Sequence, residues 1–502
     1  MPALLKRLGQ ALGWMPAGFF GGIEVPDRKL TANEPIRDCP VPDVLILPMK
    51  QHIGEQCHPC VHIGDHVLKG QKIAATEGYV AAPVHAPVAG KVVKIEEHRI
   101  AHPSGLGLPC IFIEPDGSDK EHRYDPLPDW NTRDPAELRE RVRECGIVGL
   151  GGAVFPTFIK LVRDQHHPIK TLILNGIECE PYLTTDHRLM LEHADEIVRG
   201  LSILRYMVSA TECVIAIEDN KQDAVEVMRQ AIVRAALSGV RVLAMPTRYP
   251  QGSEKQLIES ITGKQVPAGK LPVHIGVLCQ NVATARAVYH AVEHGRPLTE
   301  RIVTVSGEAM PRPGNLRIPF GTPVRFVLAQ CGLEDIGDGV HVLHGGPMMG
   351  ERLRSVDVPV VKATNGLLAL YEGQIRGLNT EEQPCIHCGH CGEVCPIRLV
   401  PNLLADHCRN DAFERAEAYQ LFDCIECGCC SYVCPSSIPL VHYFRYGKGQ
   451  LAQIRRAEAF AEESRRRSEA RERRLARERE AKQARRRARK ASQSAKAEGG
   501  ET

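Results

Sequence analysis

The chain has 502 residues, of which 43% are hydrophobic, so it is long enough for about three or four domains with cores of their own. Its formal net charge is +2, but residues 455–502 hold 17 Lys or Arg and 9 Asp or Glu, so this tail carries +8 and the rest about −6. A near-neutral body with a basic tail argues against a dedicated nucleic-acid-binding protein.

The 19 cysteines are the most informative part of the composition. The first residues lack the long apolar run and cleavage site of a signal peptide, so we expect a reducing compartment. Disulfides are rare there, and metal ligation is the better interpretation of clustered cysteines. No stretch approaches 18 consecutive apolar residues, so we predict no transmembrane helix and expect any membrane link to run through a partner or a surface helix.

After an N-terminal segment (1–35), residues 36–130 predict a β module, because apolar runs alternate with turn residues. The stretches 61–74 and 82–95 resemble the two halves of a biotinyl/lipoyl-type barrel-sandwich. That family carries its cofactor on a lysine between the halves, whereas this turn reads ATEGYVA, without a lysine. The resemblance implies the fold, and we interpret the module as structural.

Residues 131–299 predict an α/β domain with a largely parallel sheet. Strand-like runs such as TLILN (171–175) and CVIAIED (213–219) alternate with helical segments such as 221–237. Residues 300–370 return to strand signals around a Pro-Gly-Asn turn at 313–315, which indicates a small β-grasp module. The predicted fold is therefore multidomain α/β with β modules.

Two cysteine motifs dominate residues 371–450. CIHCGHCGEVCP and CIECGCCSYVCP both fit the pattern C-x2-C-x2-C-x3-C-P. Soft thiolates at this spacing are typical of [4Fe–4S] clusters, and in this motif class the fourth cysteine binds the cluster of the other motif. The motif class therefore predicts two clusters, one bound by Cys385, Cys388, Cys391 and Cys434, and the other by Cys424, Cys427, Cys430 and Cys395.

Other interpretations of these motifs are weaker. Using Cys429 in place of Cys430 would spoil both spacings, so we treat Cys429 as a bystander. Zinc sites favour paired C-x2-C knuckles over a four-cysteine run that ends in proline.

The segment 399–422 between the motifs predicts two helices, so we expect a helical dicluster ferredoxin domain. Residues 451–502, almost only Arg, Ala, Glu, Lys, Gln and Ser, predict a charged tail that is helical or disordered.

The α/β domain opens with a glycine-rich segment, GIVGLGGAVFPTFIK (146–160). Alone, such a loop is most often a tight turn. Here Pro156 suits the first turn of a helix whose N-terminal amides would face a phosphate, and Lys160 follows one turn later. The segment therefore predicts a phosphate-binding loop.

This loop resembles the flavin-binding loop of the NADH-oxidising subunit of respiratory complex I. NGIECEPY (175–182), GSE (252–254) and QNVATA (280–285) resemble further segments of that subunit around its flavin, while Val154 replaces a glycine of the pattern. The resemblance implies non-covalent FMN and NADH as substrate; a degenerate flavin site is the alternative. Hydride transfer itself demands no general acid or base, so we expect no catalytic residue of that kind. The implied cofactor-binding residues are Gly149, Gly151, Gly152, Lys160, Asn175, Glu178, Glu180, Glu254, Asn281 and Thr284.

Over about residues 20–450, the order of modules and motifs, including GGPMMG (345–350), resembles the C subunits of Rnf (Rsx) electron-transport complexes. This resemblance implies a peripheral subunit on the cytoplasmic side of the inner membrane, within an NADH:ferredoxin-type oxidoreductase translocase of EC class 7. The implied partners are the membrane subunits, NAD(H) and, as a further candidate, ferredoxin, with no nucleic acid. Two other classes stay open: a soluble flavin and iron–sulfur oxidoreductase, and a cluster-based sensor that contacts nucleic acid through its tail.

Overall fold

The computed structural model describes residues 18–101, 105, 107–375 and 380–498. Two compact units are present. One contains the described residues up to 402 together with 425–439, and the other contains 403–424 together with 440–498. The first unit holds three β-sheet modules and most of the cysteine motifs.

The N-terminal β module of the first unit consists of two small antiparallel sheets, ordered β2-β8-β7-β4 and β3-β5-β6. Leu47, Ile73, Val92 and Ile111 come from both sheets and are fully buried in one core, which explains the alternation of apolar and polar residues. A short strand, β1 (Ile36–Asp38), precedes the module. Its strands are β2 (Leu45–Pro48), β3 (His58–Pro59), β4 (His66–Val67), β5 (Lys72–Ala75), β6 (Val84–His85), β7 (Gly90–Arg99) and β8 (Gly107–Pro115).

The next module contains a parallel four-stranded sheet in the order β11-β10-β9-β12, as the sequence predicts. Its strands read as continuous apolar runs because helices cover both faces. The strands are β9 (Thr171–Gly176), β10 (Glu212–Glu218), β11 (Val240–Met245) and β12 (Val277–Asn281). The helices are α1 (Pro135–Glu144), α2 (Thr157–Lys160), α3 (Thr185–Glu192), α4 (Ala194–Val208), α5 (Gln222–Arg234), α6 (Glu254–Thr262) and α7 (Val282–Glu293).

The third module is a mixed six-stranded sheet in the order β1-β14-β13-β17-β15-β16. Strand β1 pairs in parallel with β14, from Ile36 opposite Asn315 to Asp38 opposite Arg317. The chain thus completes this sheet with residues that the sequence groups with the first β module. The remaining elements are β13 (Glu300–Ser306), β14 (Gly314–Pro319), α8 (Val324–Gln330), β15 (Val340–His344), β16 (Glu351–Arg352) and β17 (Gly366–Tyr371).

The cysteine region and the tail are helical. The two helices predicted between the motifs are present, and one long helix runs through the predicted charged tail. Ion pairs one turn apart, such as Arg467 with Glu463 at 2.7 Å, support that exposed helix. The helices are α9 (His390–Glu393), α10 (Pro401–Arg409), α11 (Phe413–Ala418), α12 (Cys429–Val433) and α13 (Leu440–Glu498). Within the described residues, no helix is long and apolar enough to cross a membrane.

Candidate functional site

The parallel sheet has a topological switch point between β9 and β12. The chain proceeds from β9 to β10 and β11 on one side and then returns to β12 on the other side. Asn175, near the end of β9, lies directly opposite Asn281, the last residue of β12. Open α/β sheets bind ligands in the crevice outside the carboxyl ends of the strands at this point. Two of the predicted site residues therefore meet where the fold is expected to bind a ligand.

The glycine-rich loop lies beside this switch point. The Leu150 N–H donates to Thr284 Oγ1 at 2.9 Å, which ties the loop to α7. A Cβ added at Gly151 would lie 3.3 Å from the Cβ of Asn281, so the loop backbone comes close to the end of β12. Gly151 and Gly152 are exposed at the tip. Thr284 thus supports the loop through a backbone contact.

Two predicted residues form an ion pair near the loop. Lys160, at the end of α2, lies 2.7 Å from Glu254, the first residue of α6, and the two side chains are 32% and 38% exposed. The resemblance places both residues at one site, and the structure brings them together. Their exposure leaves the ammonium accessible to an anion.

The two predicted acidic residues face other parts of the chain. The Glu178 carboxylate accepts hydrogen bonds from the backbone N–H of Asp186 at 2.8 Å and of His187 at 3.1 Å, so it caps the start of α3. Glu180 accepts from the N–H groups of Met348 and Met349 at 3.0 and 2.8 Å, within the GGPMMG segment. Burial raises the pKa of Glu180 to about 7. Both carboxylates thus hold backbone segments.

Asp186 is a site residue that the sequence did not single out. Its carboxylate accepts a hydrogen bond from Asn281 Nδ2 at 2.6 Å. Burial, followed by the nearby charge of Glu178, raises the pKa of Asp186 to about 7. The segment TTDHR around it matches no motif, so only the three-dimensional contact with Asn281 reveals it.

Val154 follows the loop with a backbone φ of +44°, a region that favours glycine. Its carbonyl accepts a hydrogen bond from Ile53 N–H at 3.4 Å, so the first β module contacts the loop here. A glycine at this position in the complex I pattern fits the same backbone, and the valine adds a side chain beside the loop.

The two cysteine motifs share one backbone conformation. His387 and Glu426, each before the second cysteine of its motif, have φ of +55° and +56°. Gly389 and Gly428, each after that cysteine, have φ of +83° and +82° and precede α9 and α12. The repeated geometry turns both loops around their cysteines, and no disulfide joins the cysteines of the described residues.

Hydrogen bonds to backbone groups bring the start of the first motif to the end of the second. The N–H of Gln383, two residues before the first motif, donates to the carbonyl of Ser436, two residues after the last cysteine of the second motif, at 2.9 Å. The Ser436 hydroxyl in turn donates to the carbonyl of Pro384 at 3.0 Å. The fourth cysteine of the second motif, Cys434, is thereby carried to the first cysteine of the first motif, Cys385.

The reciprocal arrangement is visible at Cys395. Burial raises the pKa of Cys395, and the nearby Cys427 of the second motif raises it further. The Leu399 N–H points at Cys395 Sγ at 3.3 Å, a contact that stabilises a thiolate. A hydrogen bond from Cys429 lowers the pKa of Cys427, so the predicted bystander contacts a predicted ligand.

The other predicted ligands are distributed as follows. Burial raises the pKa of Cys391, and the nearby thiols of Cys388 and Cys385 raise it further, in keeping with a common site. Cys430 is buried at the start of α12. Cys424 belongs to the second unit, where Lys448 Nζ donates to its carbonyl at 2.6 Å. Among the residues that the structure describes, no three His, Cys, Asp or Glu side chains are arranged to hold a single metal ion.

The loop between β11 and α6 contacts both regions. The Tyr249 hydroxyl donates to the Cys427 carbonyl at 2.7 Å. Asn175 Nδ2 donates to the Gly252 carbonyl at 2.8 Å, and the Gly252 N–H faces Cys179 Sγ at 3.3 Å. Cys179 also packs in one apolar cluster with Tyr249 and Cys427. Residues 249–252 therefore connect the switch point to the second cysteine motif.

Three sequence families match consecutive parts of the chain. Residues 17–118 match the RnfC barrel sandwich hybrid domain, 142–290 the Nuo51 FMN-binding domain and 302–351 the SLBB domain. These matches confirm the barrel-sandwich and the complex I-like α/β domain that the sequence predicts. They leave the cysteine motifs outside the matched ranges.

Curated relatives cover most of the chain. The C subunit of the ion-translocating oxidoreductase complex of Yersinia pseudotuberculosis serotype O:3 is 44% identical over 90% of this chain and 64% of its own length. The proteins of the same name from Yersinia pestis bv. Antiqua (strain Antiqua) and Pseudomonas aeruginosa are 44% and 45% identical over 90% of this chain, and the matches cover 72% and 58% of those proteins. The chain thus spans about three fifths to seven tenths of their length.

Among solved structures, an NAD⁺-reducing [NiFe]-hydrogenase in the H2-reduced state is similar at 17% sequence identity and a TM-score of 0.46, over 67% of this chain and 69% of the hydrogenase chain.

Proposed function

Because the chain belongs to the family of the C subunits of ion-translocating oxidoreductase complexes, we propose that it is the peripheral redox subunit of a membrane-bound electron-transport complex. It passes electrons between NADH with FMN, two [4Fe–4S] clusters, and ferredoxin or the membrane subunits of the same complex. We place it on the cytoplasmic side of the inner membrane.

One observation carries this proposal: the loop of residues 249–252 touches both candidate cofactor sites. It accepts a hydrogen bond from Asn175 at the switch point and donates one to the carbonyl of Cys427. A short path through covalent and hydrogen bonds suits the transfer of single electrons. The cluster of Cys424, Cys427, Cys430 and Cys395 would then be the one nearer the flavin.

The residues at the switch point fit a bound FMN. The hydroxyl oxygen of Thr157, in the helix after the glycine-rich loop, is buried without a hydrogen-bond partner among the described atoms. Gly151 leaves room that a Cβ would fill, and Lys160 supplies a partly exposed ammonium for a phosphate. Bound flavin would supply the conversion of a two-electron hydride into single electrons. Asn175 and Asn281 would line the same crevice.

The cysteine motifs fit two iron–sulfur clusters. Thiolates suit iron, and the contacts that cross between the motifs agree with the crossed ligation of dicluster ferredoxins. We assign one cluster to Cys385, Cys388, Cys391 and Cys434. For Cys424 the assignment to the other cluster rests on its spacing from Cys427.

The acidic residues have a supporting role in this proposal. Glu178 fixes the start of α3, which carries Asp186 next to Asn281. Glu180 fixes the GGPMMG segment through Met348 and Met349. They shape the nicotinamide side of the site by holding backbone, and the proposal needs no proton transfer from either residue.

A cofactor analysis of the anaerobically purified chain tests the proposal. We expect about eight irons, as many acid-labile sulfides and up to one non-covalent FMN per chain. NADH should bleach the flavin first and then give the electron paramagnetic resonance signal of reduced clusters. Zinc in place of iron would end the redox proposal, whereas iron without flavin would remove only its NADH branch.

The soluble oxidoreductase is the second candidate, and fractionation distinguishes it. The native protein should sediment with membranes and purify together with integral membrane subunits. Full recovery in the supernatant, with the cofactors and NADH oxidation intact, would favour the soluble enzyme.

A further inference from the structure

Two buried cations lie behind the glycine-rich loop. Arg301, in β13, is 7% exposed, and Lys362, before β17, is fully buried. The ammonium of Lys362 donates to the carbonyls of Gly146 at 2.7 Å and Pro83 at 3.0 Å. The guanidinium of Arg301 donates to the carbonyl of Leu150 at 3.1 Å and also to that of Lys362. Side chains of the third module thus hold the loop by hydrogen bonds to the carbonyls of residues 146 and 150.

Both backbone polar groups of Leu150 are hydrogen-bonded, and its carbonyl belongs to the peptide that joins Leu150 to Gly151. The Leu150 N–H is bound by Thr284 Oγ1 at 2.9 Å, and the Leu150 carbonyl is bound by Arg301. In a trans peptide the carbonyl and the following N–H point in opposite directions. Because Arg301 holds the carbonyl on its own side, the N–H of Gly151 points away from Arg301.

Gly151 lies next to the switch point of the parallel sheet. A Cβ there would meet the side chain of Asn281 at 3.3 Å, at the end of β12 and the switch point. Gly151 is also exposed. Charge at Arg301 additionally polarises the peptide, so its N–H is a stronger donor toward an anion.

We propose that Arg301 is a positioning residue for phosphate recognition: it holds the Leu150 carbonyl and so directs the Gly151 amide toward the phosphate of FMN. This inference rests on the proposed flavin site. Lys362 fixes the start of the same loop at Gly146, and Thr284 holds the other side of the Leu150 residue.

Comparing two flavins tests this role, because riboflavin is FMN without its phosphate. The full chain is purified anaerobically, freed of flavin and titrated with FMN and with riboflavin by flavin fluorescence. In Arg301→Met, the preference for FMN over riboflavin should fall at least tenfold while riboflavin affinity stays near that of the unsubstituted chain. Arg301→Lys should retain part of the preference, since it keeps the charge but cannot bridge both carbonyls.

Arg205→Met is the matched control, because Arg205 also donates to backbone carbonyls, those of Ala210 and Ser238, far from the loop in sequence. It should leave both affinities unchanged. Iron content per chain reports folding of each variant. If Arg301→Met fails to fold, Thr284→Val, which releases the same residue from its other side, should lower the same ratio.

Equal losses of FMN and riboflavin affinity would show that Arg301 only supports the fold, and unchanged ratios in the Arg301 and Thr284 variants would also overturn the proposal. An unsubstituted chain that binds neither flavin would refute the flavin site itself, and that failure is seen before any variant is made.

Discussion

The hydroxyl of Tyr249 lies 2.7 Å from the carbonyl oxygen of Cys427, so a buried side chain of the α/β module holds the second cysteine loop. Tyr249→Phe removes only this hydrogen bond, which is worth about 1 kcal/mol. We expect iron from the neighbouring cluster to be lost to a chelator about fivefold faster and electron transfer from the flavin to slow. Stopped-flow absorbance measures both rates.

Tyr206→Phe is the matched control for that variant. Tyr206 also donates to a backbone carbonyl, that of Arg133, at 2.8 Å. Loss of this hydrogen bond in Tyr206→Phe should destabilise the fold by a similar amount without changing the rate of iron release. Equal effects of the two substitutions would contradict a specific role of Tyr249.

Crossed ligation predicts a pattern of iron contents in paired variants. Cys395→Ser should lower the iron content from about eight to about four per chain. Adding Cys424→Ser should change little, because both residues are proposed to bind the same cluster, whereas adding Cys385→Ser should remove the remaining iron. Cys429→Ala should keep about eight irons. If each motif bound its own cluster, the outcomes of the two double substitutions would be exchanged.

Val154→Gly tests the departure from the complex I pattern. A β-branched residue at φ +44° is strained by about 1–2 kcal/mol, but glycine adds about 0.5–1 kcal/mol of chain entropy to the unfolded state. The net change in stability should therefore be within about 1 kcal/mol. The affinity for NADH should rise, because a side chain beside the loop is gone, and equilibrium titration measures it. Ala236→Gly, at φ +49° in another part of the module, should leave NADH affinity unchanged.

Glu180 predicts a pH dependence of stability. Burial raises its pKa to about 7 from about 4.5, so between these values the folded chain holds a proton that the unfolded chain has lost. The free energy of unfolding therefore falls as the pH rises through this window. Glu180→Gln should remove this part of the slope, which thermal unfolding at pH 5.5, 6.5 and 7.5 would show. The raised pKa of Asp186 lowers the free energy of unfolding in the same direction in the unsubstituted chain and in Glu180→Gln. The difference in slope between these two chains therefore reports Glu180 alone.

Much of the architecture could be predicted from local patterns. Continuous apolar runs such as TLILN predict the parallel strands, and the structure confirms them. Four cysteines and a proline within twelve residues define a motif by themselves, since three of the four thiolates proposed for each cluster come from neighbouring residues of one loop. The glycine-rich loop and Lys160 could also be predicted, because both lie within one short segment.

Contacts between distant segments could not be predicted. Glu178 lies in a segment that resembles a cofactor site, yet its carboxylate caps α3 because the N–H groups of Asp186 and His187, at the start of that helix, require an acceptor. Strand β1 joins the third sheet because Asn315 and its neighbours offer an unpaired edge. Neither outcome has a signature in the order of residues.

The sequence by itself determined the two cysteine motifs and the alternation of strand-like and helical segments, because each depends on spacing or periodicity within a short segment. The residues expected around the switch point followed from the resemblance to the complex I subunit, and the structure adds Asp186 to them. Only the tertiary structure decided that Tyr249 reaches Cys427 and that Arg301 holds Leu150. These pairs are 178 and 151 residues apart, and burial of their polar groups makes each hydrogen bond obligatory once the modules pack.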